Sequence, residues 1–356
     1  MSESRREGAN KTALAIVAAG VVLAILVLGR TFLLPLAIAV LLFSTLDAII
    51  DWIESHRVGP FSVPRWLATI AGIGFVVTAI YVVIQVLSAQ VGAIGEVGPR
   101  YIARLQELFA DIVAFVGEDV EAKAVEALNN LDLASTLSGV AGSAGSFLAN
   151  AILVAIYTGF MLASQAHFPA KMAAMFPSEG EAERITNILD TISLSIRRYL
   201  WVKSIMSVLT GLASYVVLKV MGVDFAETWA LLIFLLNYIP NIGSILGVIF
   251  PALIAIVQFD TLTPFLIIAV GLGAIQFTIG NILEPKLMGD SLNLSSLVVI
   301  LSLTFWGAIW GIVGMFLSVP ITVMLLIVCS HVPGWRNFAI LLSRDGQIAA
   351  INQPAR

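Results

Sequence analysis

The sequence predicts an all-α, multi-pass membrane protein, and three observations carry that prediction. Of its 356 residues 59% are apolar and only 12% are charged, about half the ~25% charged fraction of an ordinary soluble domain. The mean hydropathy is +0.98. The apolar residues gather in eight blocks nearly free of charge, which take up more than half the chain. Blocks near ~20 residues are what an ~30 Å hydrocarbon core requires of a helix. So little charge cannot dress a globule in water, which excludes a soluble enzyme, a secreted disulfide scaffold and a disordered chain. Cys329 is the single cysteine, so no disulfide framework exists, and the 19 Lys and Arg residues are scattered rather than striped, so nucleic acid is not an expected partner.

Taken in order, the first block runs from Ala13 to Leu28 behind Arg5, Arg6 and Lys11. No small-x-small site closes it and a second apolar block follows at once, so a membrane anchor is expected rather than a cleaved signal peptide. Further spans are expected at Phe32–Ile50 and Trp66–Leu87, completing N-terminal membrane helices within residues 1–88. Residues 89–145 form the one sizeable polar region, with eight acidic and three basic residues. There Ile102, Leu105, Phe109, Ile112, Val113 and Val116 fall at helical spacing, and a second, more acidic helix is expected around Glu118–Leu131, making a small helical insert outside the membrane. Gly139, Gly142, Ser143, Gly145, Ser146 and Ala149 suit close helix packing. A span at Phe147–Ala163 and a cytoplasmic amphipathic segment fill residues 146–199, and residues 331–356 form a cytoplasmic tail.

Cytoplasmic loops hold the excess of Lys and Arg. The N-terminal tail, segment 51–65, segment 165–203 and the C-terminal tail together carry thirteen of the nineteen, which places both termini inside. Asp47 and Asp51, one turn apart beside Trp52 and Glu54, are expected to mark an interfacial helix end rather than an ion site.

Two blocks have the wrong length. Trp229–Gln258 has 30 residues, too many for one comfortable span and too few for two. Its middle, Leu236-Asn237-Tyr238-Ile239-Pro240-Asn241-Ile242-Gly243, gathers helix breakers and amides. Broken backbone at membrane depth is tolerated only inside protein or beside a watery cavity. A re-entrant hairpin with its tip at 237–243 satisfies the length, as does one tilted, kinked span. Leu292–Ser330 repeats the theme, interrupted by Thr304–Gly314 and then Ser318-Val319-Pro320. Each block follows one span, Leu200–Met221 or Pro264–Leu283, and a short polar joint. Residues 200–330 are therefore expected to form a transport core, an inverted repeat of 200–258 and 264–330. Transporters place substrate between such repeats, at discontinuous helices.

No G-x-x-x-x-G-K-[ST] and no H-E-x-x-H occurs, and His56, His167 and His331 lie far apart, so no ATP site, metal, cofactor or enzymatic activity is expected. The informative polar residues lie in or beside the broken blocks. Asn237 and Asn241 donate and accept, Tyr238 adds a hydroxyl and a ring, and Pro240 and Gly243 shape the tip. Gln276 and Asn281 lie on the next span, Glu284-Pro285-Lys286 supplies a carboxylate and a cation at one boundary, and Trp306 and Trp310 share a helix face. Amides with aromatic planes suit a small, polyhydroxylated, nearly uncharged ligand. The alternative is that the amides satisfy broken backbone while Glu284 and Lys286 pair with each other.

These stretches resemble the autoinducer-2 exporter family of bacterial membrane proteins: Arg198-Tyr-Leu-x-x-Lys203 with Gly211, Leu236–Gly243, Gly280-Asn-Ile-Leu-Glu-Pro-Lys-Leu-Met-Gly289, Leu292-Asn-Leu-Ser, Phe305-Trp-Gly307 and Gly314–Pro320. The resemblance is specific from about residue 190 to 325 and architectural before it. It implies seven or eight membrane segments, a homo-oligomer in the bilayer of the bacterial inner membrane, and secondary export of a small polar signal molecule. The tip at 237–243 and the Glu284 joint carry the implied functional importance. Some relatives look like sodium/proton antiporters, so a monovalent cation is the alternative cargo.

Overall fold

A computed structural model describes residues 2–55, 63–116, 133–176, 178–288 and 292–348, and every apolar block of the sequence is helical in it. The helices are α1 (Ser2–Leu28), α2 (Arg30–Ser55), α3 (Arg65–Val116), α4 (Leu133–Gln165), α5 (Phe168–Met175), α6 (Glu179–Val220), α7 (Ala226–Leu236), α8 (Ile242–Gln258), α9 (Leu262–Thr278), α10 (Glu284–Met288), α11 (Ser296–His331) and α12 (Arg336–Leu342). A π-helical turn, Ile279–Leu283, joins α9 to α10. Among the described residues the only β pairing is an isolated bridge between Leu294 and Ser343. Among the described residues five helices are long and apolar enough to cross a membrane, or six if α4 and α5, bent by 71°, count as one span. Ile16–Leu28, α7 and α8 are apolar but shorter. The second insert helix expected at Glu118–Leu131, and His56 and Arg57, lie outside the described residues.

Two local features depart from the expected layout. Only Gly29 separates α1 from α2, its N–H donating to Ile25 O and its carbonyl accepting from Leu33 N–H, both at 2.8 Å. The paired N-terminal spans are thus joined by helical hydrogen bonding rather than by a loop. Likewise α3 continues without interruption past residue 88 for 52 residues. That is about 78 Å of helix, far more than a bilayer core needs.

The chain forms two compact units, residues 1–44, 149–196 and 292–356 in the first and 45–148 and 197–291 in the second. The first unit holds α11, which is two limbs rather than one rod. Gly311 takes φ 64° and ψ −146°, backbone that suits glycine and strains other residues. The limbs run antiparallel from there: Ser302 Oγ donates to Ser318 O at 3.1 Å and meets Thr322 Oγ1. Nearer the tip, a methyl group on Gly314 would overlap the Trp306 carbonyl. The Trp310 indole N–H donates to Leu26 O at 3.0 Å, tying the tip to the end of α1. At the other end Leu326, Cys329, Ala339 and Ile348 pack α12 and the tail against the second limb.

The second unit holds the other hairpin. Limbs α7 and α8 face each other about Pro240–Asn241: a methyl on Gly243 would overlap the Leu236 carbonyl, and one on Gly247 would lie 3.3 Å from Ile233 Cγ1. Gln258 closes the base, accepting from the Asp224 N–H at 2.8 Å and donating to Gly222 O at 2.7 Å. Leu218, Ile233, Ala252, Ala255, Ile268 and Leu272 form the core that α6, α7, α8 and α9 share. Both long blocks are therefore hairpins rather than single kinked spans.

Ion pairs hold the two ends of this unit. Asp47, side chain 3% exposed, pairs with Arg65 at 3.0 Å and with Arg197, while Asp51 pairs with Arg197 at 2.8 Å. The ends of α2 and α3 are thereby fixed to α6, the structural role expected of these aspartates. At the base of the hairpin the Tyr101 hydroxyl donates to Asp224 at 2.9 Å, and Arg104 pairs with Asp260 at 3.6 Å. Burial first, then the bond to Asp224 and its negative charge, hold the Tyr101 phenol above its ordinary range.

Candidate functional site

The site is built on α6. One face of this helix presents Lys203, Ser204 and Ser207 to the hairpin and to the π turn. Ser204 Oγ lies 2.7 Å from the Tyr238 hydroxyl, and Asn237 Nδ2 donates to Ser207 Oγ at 3.0 Å. One turn further on, Gly211 allows the close approach, for a methyl there would lie 3.1 Å from Ala230 O and from Phe234 Cβ. The Phe234 ring meets the Tyr238 ring edge-on at 5.8 Å. The tip closes on itself through the Ile239 N–H to Leu236 O and Gly243 N–H to Ile239 O bonds, and side chains of α6 tie it to that neighbouring helix.

The second contact is electrostatic. Lys203 Nζ donates to Glu284 Oε1 at 2.6 Å, with the side chains only 6% and 18% exposed. Glu284 opens α10 directly after the π turn. π turns inside helices recur at functional sites because the extra residue re-aims the side chains that follow. Lys286, two residues on, is exposed and has no ion pair among the described residues. The expected Glu284–Lys286 pair is thus corrected to Glu284–Lys203, for residues two apart on a helix do not face each other.

A cavity of about 500 Å³ opens here, lined by Lys203, Pro240, Asn241, Ser244, Gln276, Asn281 and Glu284 among others. Gln276 is 94% buried, being 6% exposed, and both its amide nitrogen and its oxygen lack a hydrogen-bond partner among the described residues. An unpaired buried amide is costly, and such groups ask for an explanation. The Tyr199 hydroxyl, one turn before Lys203, is buried and unpartnered in the same way.

The structure thus gathers Pro240, Asn241, Gln276, Asn281 and Glu284 around one cavity, with Asn237 and Tyr238 turned to α6 and Gly243 serving close packing. Trp306 and Trp310 belong to the first unit. Their rings lie 4.9 Å apart, and Trp310 with Gly311, Arg30 and Asn150 lines a separate cavity of about 540 Å³. Sequence reasoning missed Lys203 as a site residue. The signal was available: Lys203 lies inside the apolar block Leu200–Met221, and an ionisable residue at membrane depth is a functional candidate.

A helical multi-pass membrane protein with re-entrant hairpins and a polar cavity beside a broken helix has the build of a secondary transporter. Comparison with known proteins agrees: residues 14–334 match the family described as AI-2E family transporter. The chain is 34% identical over 319 residues to the AI-2 transport protein TqsA of Escherichia coli, covering 88% of each chain. It is 31% identical over 345 residues to a Haemophilus influenzae protein named "Putative transport protein", covering 94% of this chain and 96% of the other. A 206-residue stretch, 58% of this chain and 57% of the relative, is 35% identical to an E. coli protein named "Putative transport protein YhhT". The chain belongs to the AI-2E transporter family.

Proposed function

We propose that this protein is a secondary transporter that exports a small polar signal molecule, autoinducer-2, across the bacterial inner membrane. The observation that carries the reading is the buried Gln276 amide, with neither its donor nor its acceptor satisfied, at the wall of a cavity beside a broken hairpin. A polyhydroxylated, uncharged ligand supplies the missing acceptor and donor together. Asn241, Asn281 and Ser244 add further hydrogen-bonding groups, and the paired charges of Lys203 and Glu284 leave the wall without net charge. The AI-2 named in TqsA is of this chemical kind.

In this reading segments 51–65 and 165–199 and both chain tails face the cytoplasm, the protein works as a homo-oligomer, and residues 200–258 and 264–330 are an inverted repeat whose hairpins enter from opposite sides. Cysteines placed at Ser244 and Ser318 then label from opposite sides of the membrane; labelling from one side only overturns the repeat. Transport itself is tested with proteoliposomes and labelled autoinducer-2, with and without imposed proton and sodium gradients. Flux that the gradients drive supports export; no flux under any gradient overturns it.

A second reading has one observation in its favour, the buried carboxylate of Glu284 at the cavity wall. In a monovalent cation/proton antiporter that carboxylate holds the cargo. Sodium-driven collapse of a pH gradient without autoinducer-2 flux favours this reading.

A further inference from the structure

We propose that Lys203 is a displaceable internal cation: it holds the place at Glu284 that a monovalent metal cation of the sodium class takes when it binds. The inference rests on reading the Glu284 cavity as the transport pathway. A carboxylate at membrane depth is held only with a counter-charge. Lys203 supplies one at 2.6 Å, from a different helix and through a long, flexible stem. Glu284 Oε2 has no hydrogen-bond partner among the described residues, so the ammonium engages only one of the two oxygens.

The surroundings fit a hard cation, which prefers oxygen ligands. Gln276 Oε1 is a buried acceptor with no donor, and Asn241, Ser244 and Asn281 line the same cavity with amide and hydroxyl oxygens. These neutral oxygens surround the one carboxylate, so Glu284 is neutralised by either cation, and the added positive charge resides on the displaced ammonium, which keeps it facing the cavity or releases a proton there. Neither state then strands an unpaired carboxylate in the membrane.

The displaced ammonium also has somewhere to go. Tyr199 precedes Lys203 by four residues on α6, which places both on one helix face, and its buried hydroxyl is an unpartnered acceptor. On the other side of Lys203, Ser204 and Ser207 hold the hairpin tip. Exchange at Glu284 therefore acts on the helix that positions the tip, which links cation binding to the cavity wall that a substrate touches.

The test is binding of radiolabelled sodium to purified full-length protein, titrated against choline at constant ionic strength. Wild type is expected to bind weakly and saturably. K203Q, with no ammonium to displace, is expected to bind sodium roughly tenfold or more tightly, since removing one partner of a buried pair strands the other charge. E284Q and the double variant K203Q/E284Q, which restores an uncharged wall, are expected to bind none. Equal half-saturation in wild type and K203Q, no binding in either, or binding retained in E284Q overturns the proposal. If K203Q does not fold, Y199F carries the test: losing the alternative partner weakens sodium binding severalfold, and an unchanged half-saturation overturns the exchange. Because these are binding measurements, loss of the exchange with intact autoinducer-2 flux leaves the transport reading standing, and the converse result separates the two equally well.

Discussion

Gly243→Ala is the sharpest available perturbation of the hairpin tip. The methyl group would overlap the Leu236 carbonyl oxygen and lie 2.5 Å from its carbon and 3.2 Å from Asn237 N. All three are backbone atoms, so no side chain can swing aside. Restoring ordinary contact requires the start of α8 to move from the end of α7 by about 1.5 Å, since non-bonded carbon atoms rest about 3.5–4.0 Å apart. Overpacking of this kind costs about 1–3 kcal/mol. The displacement falls on the tip whose Asn237 and Tyr238 are held to Ser207 and Ser204 at 3.0 and 2.7 Å, and a shift of that size breaks either bond. Gly273→Ala on α9 is the matched control, because nothing lies within 4 Å of the added methyl. Efflux of labelled autoinducer-2 from proteoliposomes, normalised to folded protein, is expected to fall roughly tenfold or more in Gly243→Ala, as about 1.4 kcal/mol of tip distortion implies, and to stay near wild type in Gly273→Ala. Equal flux in the two variants refutes the claim that tip geometry sets transport.

Three further outcomes follow from the same structure. Gln276→Leu removes two unsatisfied buried atoms at similar size, so thermal unfolding in detergent is expected at a higher temperature while autoinducer-2 flux is lost; a lower unfolding temperature refutes the unpaired state of Gln276. Asp47→Ala removes the buried carboxylate at the centre of this network, while Arg197 keeps Asp51 and half-exposed Arg65 keeps Asp51 and Glu54; a loss of about 2 kcal/mol is expected, below the 3–5 kcal/mol of stranding a buried charge, and unfolding at the wild-type temperature counts against the network. Tyr101→Phe removes the bond to Asp224 and is expected to cost about 1 kcal/mol. Because the folded phenol titrates above the free-tyrosine value of about 10, that contribution is complete below pH 10 and fades as pH rises beyond it; a gap between wild type and Tyr101→Phe that widens above pH 10 contradicts the assignment.

What was legible in the sequence is what local chemistry dictates. Block length and helix breakers left Trp229–Gln258 and Leu292–Ser330 either turning back on themselves or crossing as one kinked span, and both turn back, at Pro240–Asn241 and at Gly311. Amides flanked by apolar residues pointed to the cavity that Asn241, Gln276 and Asn281 line. The pairing of charges was not legible in this way. Glu284 and Lys286 are neighbours in sequence, but helical geometry sends them to different faces, and the partner of Glu284 comes from 81 positions earlier. Ala13–Leu28 and Phe32–Ile50 read as two separate spans, yet helical bonds pass through Gly29 between them.

The two hairpins answer the same physical demand in different ways, and the difference indicates where the chemistry lies. A break in a membrane helix frees backbone groups that need partners. In α11 the hydroxyls on either side of the break are used within the hairpin: Ser302 and Thr322 both bond to Ser318 O, Thr304 to Ile300 O and Ser318 Oγ to Met315 O, while the Trp310 N–H is taken by Leu26 O of α1. In the α7–α8 hairpin the tip amide and phenol reach sideways to α6 instead, and Asn241, Ser244 and the unpartnered Gln276 are left at a cavity wall. The polarity of the first arrangement is consumed in holding the limbs together. The polarity of the second remains available to a ligand, and a single helix, α6, carries both the residues that place the tip and the cation that balances Glu284. A change in what Glu284 binds therefore acts at the point from which the tip is held, which is why Lys203 outranks the better-conspicuous tryptophans as the residue to mutate first.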